Sequence, residues 1–348
     1  METVTITGSD VETREELKAV ISRAIQSASP KGKRSDLAGE GEYTCNNVFR
    51  GLAIIICNEN FKEPNKPRRC CDDDLQLTKE TFSNLKFLVL AFKDLTGRQI
   101  DLVLDIAAGK EEFHMKSDCF ACVVASHGNE RHRPVDDKQP PGLYFRDHCV
   151  YGIDNEPVAT KQIVKKFSEV TSLKNKPKLF FIQACRIVPN GICSIDEGHT
   201  VSVDPSNFQD EVILKNADDI PEPSFFDRLF GRKTNTIDTT KIIRVLDPPC
   251  DDDCLIVYSS NSEKESYGRH DSYINGGWML ISLYNAVDKY LQALQMKTID
   301  HIDIIDVLYE MTSYVAKRME VNLKETEYHH RKAAVVFEHC FHRELYFK

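Results

Sequence analysis

Five short apolar runs, spaced by amphipathic helical stretches, constrain this chain more than any other feature. GLAIIIC (51–57), FLVLAF (87–92), CFACVVAS (119–126), PKLFFIQAC (177–185) and CLIVYSS (254–260) are apolar at consecutive positions, as strands buried on both faces must be. Helical spacing appears between them, in DDDLQLTKETFSNL (72–85), in TGRQIDLVLDIAAGK (96–110) opened by Thr96, and in ATKQIVKKFSEV (159–170). It reappears in GWMLISLYNAVDKYLQAL (277–294) and DHIDIIDVLYEMTSYVAKRM (300–319), and AAVVFEHCF (333–341) supplies a closing strand. This β–α alternation predicts an α/β sandwich of three layers, a mostly parallel six-stranded sheet with helices on both faces.

Two segments break the rhythm. Residues 9–27 read as one helix, capped by Ser9 with Glu12 three residues on, and striped by Leu17, Val20, Ile21, Ala24 and Ile25,. The polar SASPKGKRSDLAGEGE that follows reads as a linker,. One helix cannot build a core, so residues 1–43 are expected to be an appendage. Residues 186–253 hold several Pro and many Asp, and they are too long for an ordinary loop.

Charge and cysteine usage narrow the class. Lys and Arg number 45 against 54 acids, for a net charge of −9, so the basic footprint of a nucleic-acid binder is missing. Apolar runs stay far below the ~20 residues of a membrane span, and METVTITGSDVETREE is acidic where a signal peptide is basic,. Twelve irregularly spaced cysteines without a secretory signal predict free thiols and a cytoplasmic location,.

In a parallel sheet, reactive groups gather where strands end. One strand ends Ser126-His127-Gly128 and another Gln183-Ala184-Cys185-Arg186. A thiol needs a base to become a thiolate, and a histidine on a neighbouring strand end is placed to serve. Gln183 and Cys185 leave one face of their strand, and Gly128 leaves a backbone N–H unshielded, suited to an oxyanion. Cys119 and Cys122 form a CxxC, but residues three apart in a strand face opposite ways, so chelation is not expected. Cys70-Cys71, Cys250 with Cys254, and His329-His330 lack a second half at zinc spacing,. No metal and no cofactor are predicted. The acidic runs 72–74 and 251–253 read as a helix start and a solvated loop.

These residues resemble the caspases, cysteine proteases that cleave after aspartate. His127 precedes the Gln-Ala-Cys triplet's Cys185 by 58 residues, a spacing known in that family. GLAIIICNENF, LTKETFSNLKF, LTGRQI, CVVASHG, KPKLFFIQACR, YSSN, GGWMLISL and RELYF occur in the family's order over roughly residues 46–348. The resemblance implies Cys185 as nucleophile, His127 as general acid and base, and the N–H groups of Gly128 and Cys185 as oxyanion hole. It implies an S1 pocket of Arg68, Gln183 and Arg269, with Arg69 the alternative to Arg68, and Trp278 at S4; Tyr267 lines S2 if Gly268 is an inserted residue, and otherwise S2 is open. A guanidinium fork selects a short carboxylate.

The resemblance further implies a large subunit (44–196), a linker (197–248) and a small subunit (249–348), after a short propeptide (1–43). Protein substrates, an upstream activating caspase and a dimer of subunit pairs joined through AAVVFEHCF are the partners it implies. An executioner role in apoptosis is expected, because one helix cannot form a death-fold bundle. Asp238 (Asn-Thr-Ile-Asp-Thr) in the linker is the expected main processing site and Asp196, at the end of the large subunit, the second, with Asp36 the site for losing the appendage. Asp204 and Asp247 precede proline, a poor residue after a scissile bond. One departure is Ile187, where the family carries glycine after Arg186. Either the loop takes another conformation or the site is perturbed, and the second case would make the chain a non-catalytic regulator of an active caspase.

Overall fold

The computed structural model describes residues 5–11, 13–31, 39–134, 144–187, 250–262, 264–269, 274–321 and 331–348. Its first half runs β1 (Thr5–Thr7), α1 (Arg14–Gln26), β2 (Phe49–Cys57), α2 (Cys71–Asn84), β3 (Leu88–Lys93), α3 (Gly97–Ala108), α4 (Glu111–Met115) and β4 (Ser117–Ala125). Then follow β5 (Gly128–Pro134), β6 (Tyr144–Tyr151), β7 (Pro157–Ala159), α5 (Thr160–Ser168) and β8 (Lys178–Gln183). The rest comprises β9 (Cys254–Tyr258), β10 (Gly268–Arg269), β11 (Gly276–Gly277), α6 (Trp278–Gln295), β12 (Ile302–Asp303), α7 (Ile304–Arg318), β13 (Val336–His339) and β14 (Tyr346–Phe347).

The main sheet is ordered β1-β3-β2-β4-β8-β9-β13. Every neighbouring pair is parallel except β13 on β9. Alternate residues of each strand feed two separate cores. Ala53, Ile55, Val123, Phe181 and Val257 pack with α2, α6 and α7 on one side. Ile54, Ile56, Phe120, Val124 and Ile182 pack with α1, α3 and α5 on the other. That is why both positions of each strand had to be apolar. Cys119 and Cys122 fall on opposite sides, as their spacing requires.

The sheet has seven strands rather than the six expected, and the seventh comes from the segment set apart as an appendage. Thr5–Thr7 pairs with Ala91–Lys93, and Leu17 and Ile21 are fully buried in the core shared with α3. Three residues carry too little pattern to be read as a strand. The helix start also moves. Thr13, not Ser9, caps α1, its hydroxyl accepting from Glu16 N at 3.2 Å while Glu16 returns the bond to Thr13 N. Ser9 lies in a short 3-10 turn, because pairing of Thr7 holds Gly8 so close to Asp94 that an added Cβ would lie 2.2 Å from its carbonyl oxygen.

Among the described residues, three smaller sheets were not anticipated, of which β5-β6-β7 bears on the site. Asp253 also departs from expectation. It is buried, at positive φ, and accepts the Tyr43 hydroxyl at 2.6 Å, so only Asp251 and Asp252 of that acidic run are solvated. The linker 197–248 and Asp36, Asp196 and Asp238 lie outside the described residues. No described helix is long and apolar enough to cross a membrane.

Candidate active site

The carboxyl ends of β4 and β8 are neighbours, Ala125 lying opposite Gln183. The residues after them, His127 and Cys185, therefore open on one pocket, together with Arg68, Arg69, Gln183 and Tyr267. This follows from parallel pairing, which puts all the strand ends on one side.

His127 is held by the loop after β2. A carbonyl oxygen only accepts, so the 2.7 Å contact of Nε2 with Lys66 O fixes the neutral tautomer with hydrogen on Nε2 and a bare Nδ1. Phe61 lies against the ring at 4.6 Å. Burial, helped by the Arg68 charge and opposed by the Lys66 bond, lowers the pKa below the ordinary imidazole value of 6.5. The loop itself is pinned from below. Asn58 bonds Leu95 O, Tyr151 O and Leu95 N, while Asp94 accepts from Glu59 N and Asn60 N.

Cys185 is partly buried, and its Sγ accepts the Ser266 N–H at 3.3 Å. The amide of Gln183 donates to Ser266 Oγ at 2.6 Å. Gly277 makes room for this amide, since a Cβ there would lie 2.4 Å from Gln183 Cδ. Arg68 donates from Nη1 to Asn58 O and from Nη2 to Asp74, whereas Arg69 is exposed.

Gly128 sits opposite Val150, and Tyr151 N donates to His127 O. In an antiparallel ladder this makes Gly128 and Val150 a non-bonded pair, so the Gly128 N–H turns away from β6. A Cβ on Gly128 would lie 2.9 Å from the Cys185 carbonyl oxygen. Close approach of the two peptides is what requires glycine.

Residues 50–334 match the family model for the caspase domain. The chain belongs to the caspase family. It is 36% identical over 163 residues to caspase-3 of Felis catus, covering 45% of this chain and 50% of that protein. Caspase-6 of Bos taurus is 27% identical over 258 residues, with 73% and 71% covered. Caspase-8 of Mus musculus is 28% identical over 187 residues, with 49% and 35% covered. The chain thus aligns with about half or less of two of these three relatives.

The residues that the resemblance assigns to substrate binding are not all gathered in the pocket. Arg269 lies one residue beyond it, on β10 paired with β11. Trp278 is buried, its amide donating to Tyr267 O at 3.0 Å and its ring 5.1 Å from that of Tyr267. Ile187 is where the sequence departs from the family's glycine. It is not among the described residues with positive φ, and its carbonyl accepts from Glu130 N at 2.9 Å. Isoleucine occupies this position without the backbone strain that a positive φ would impose,.

Sequence reading missed the groups behind the site. Asp74 belongs to an acidic helix start, yet it shares the helical face of Cys71, Leu75 and Thr78. An acid on an apolar stripe must be buried, and so must be paired. His148 and Ser259, which touch the peptides around Cys185, carry no comparable signal.

Proposed function

We propose that this chain is the zymogen of a cysteine endopeptidase that cleaves after aspartate in apoptosis. The observation that carries the reading is the single pocket onto which Cys185, His127, Arg68 and Gln183 open. In the proposed mechanism Cys185 Sγ, its proton taken by His127 Nδ1, attacks the scissile carbonyl. The N–H groups of Gly128 and Cys185 bind the developing oxyanion, and His127 then protonates the leaving amine. Water releases the acyl-enzyme, with His127 again as base.

Arg68, Gln183 and Arg269 are the proposed holders of the substrate aspartate, with Tyr267 and Trp278 flanking the preceding residues. Ser266 meets both the Cys185 thiol and the Gln183 amide. A substrate entering the pocket would compete with these contacts. Cleavage at Asp238, and second at Asp196, is the proposed release. Pairing of two copies through β13, an edge strand, is the proposed assembly.

The test is turnover, by recombinant protein cut within its 197–248 linker, of fluorogenic tetrapeptides ending in Asp, Asn or Glu. The reading expects the Asp peptide to be cut at least ~100-fold better than the Asn peptide, because an uncharged amide lacks the charge that the guanidinium groups would pair. Equal rates, or no turnover, would contradict it.

A further inference from the structure

Behind the Cys185 side chain, each flanking peptide has a side-chain partner. Ser259 Oγ accepts from Ala184 N at 3.0 Å and donates to Ala184 O at 3.1 Å. The Ala184 carbonyl shares its peptide with the Cys185 N–H, so Ser259 sets the direction of that donor. On the other side, His148 Nε2 lies 3.2 Å from Cys185 O. Its Nδ1 lies 2.8 Å from Thr160 Oγ1.

The tautomer of His148 follows from its partners. A carbonyl can only accept, so Nε2 carries the hydrogen and Nδ1 accepts the Thr160 hydroxyl proton. Both nitrogens are thereby used, and the ring is oriented by a residue at the start of α5. Tyr258 meets the ring edge-on at 5.6 Å and carries the Arg186 guanidinium 4.2 Å from its centre. Burial lowers the His148 pKa to about 4, assisted by Arg186, which keeps this donor neutral at physiological pH.

We propose that His148 is a positioning residue, clamping the Cys185 carbonyl between its Nε2–H and the Cα of Gly128. The clamp deepens the proteolytic reading and rests on it. With Ser259 on one peptide and His148 on the other, the backbone angles at Cys185 have little freedom. The thiol and the oxyanion N–H then hold one relative geometry. Arg186 N to Lys264 O at 2.9 Å, and Glu130 N to Ile187 O at 2.9 Å, continue the restraint along the loop. His148 touches neither substrate nor a reacting atom, so its loss should act on the chemical step and not on substrate binding.

The test compares wild type with His148→Leu, which has similar bulk and no donor, and His148→Gln, whose amide can reach both partners. The Leu variant should lose ~10–100-fold in kcat on an aspartyl peptide, with KM within ~3-fold, the scale of a slightly misplaced reacting group. The Gln variant should stay within ~3-fold of wild type, about the loss of a fraction of one hydrogen bond. Wild-type kcat in the Leu variant, or an equal fall in both, would overturn the clamp. So would loss of the folded state in both, which would make His148 a stability element only. Hydrogen exchange of residues 183–187 in the same proteins reads the clamp without catalysis, and should accelerate in the Leu variant alone. If wild type cuts no aspartyl peptide, the proteolytic reading fails while the exchange result still decides the clamp.

Discussion

Arg68 Nη2 donates to Asp74 Oδ2 at 2.9 Å, with Arg68 13% exposed at a pocket mouth and Asp74 0% exposed beneath it. The second carboxylate oxygen accepts the Gly277 amide at 2.6 Å. One acid thus joins the loop before α2 to the segment that starts α6. Burial pushes the Asp74 carboxyl above its ordinary range, against the pull of Arg68 and the Gly277 amide.

The two partners should differ when removed. Arg68→Ala strands a buried carboxylate and should cost ~3–5 kcal/mol of unfolding free energy. Asp74→Asn leaves a guanidinium that can reach water and should cost only ~1–3 kcal/mol. Urea denaturation of the two variants checks this, and the reverse order would contradict it.

Gly277→Ala tests the space behind the pocket. Its Cβ would lie 2.4 Å from Gln183 Cδ, forcing that amide out of place while the fold persists. Activity on an aspartyl peptide should fall ~10-fold or more, the cost of a displaced binding group. Unchanged kcat/KM would show that Gln183 has no part in recognition.

Acid should weaken the fold through two histidines. Burial lowers both His114 and His148 from 6.5 to about 4. Between those values the unfolded chain binds protons that the folded chain does not, so stability is full above pH 6.5 and is lost on descent towards pH 4. Each accounts for up to ~3 kcal/mol by then. The fall in urea midpoint between pH 7 and pH 4.5 should be shallower in His114→Gln. An identical fall would contradict this assignment.

The N-terminal segment should stay attached after cleavage. Ile6, Val11, Leu17 and Ile21 are all buried, and Gln99 Nε2 donates to Gly8 O at 2.8 Å and Val11 O at 2.9 Å. With a foreign protease site placed within 32–38, the cut fragment should co-elute with the remainder in gel filtration. Leu17→Ala should lower stability by ~2–5 kcal/mol. Release of the fragment with no change in melting temperature would refute this.

What could be read from sequence was what local chemistry dictates. Strands such as Ile54–Cys57 must be apolar throughout because helices cover both faces, and that pattern survives in one dimension. His127 and Cys185 were legible because parallel strands end together. The strand Thr5–Thr7 is too short to show a period, and GNERHRP of β5 is polar because it pairs outside the main core. Asp74 and His148 acquire their roles from partners distant in sequence, Gly277 and Cys185. Asp74's place on the apolar stripe of its helix announces burial but not its partner, and nothing local distinguishes His148 from any strand histidine.

The central claim is that Cys185, among twelve cysteines, is a nucleophile addressed by aspartate. The most direct measurement is mass mapping after reaction with a tetrapeptidyl fluoromethyl ketone ending in aspartate. The account expects one adduct, on Cys185, that is slowed in Arg68→Ala and absent with the asparagine analogue. Label on another cysteine, or equal labelling by both reagents, would contradict it.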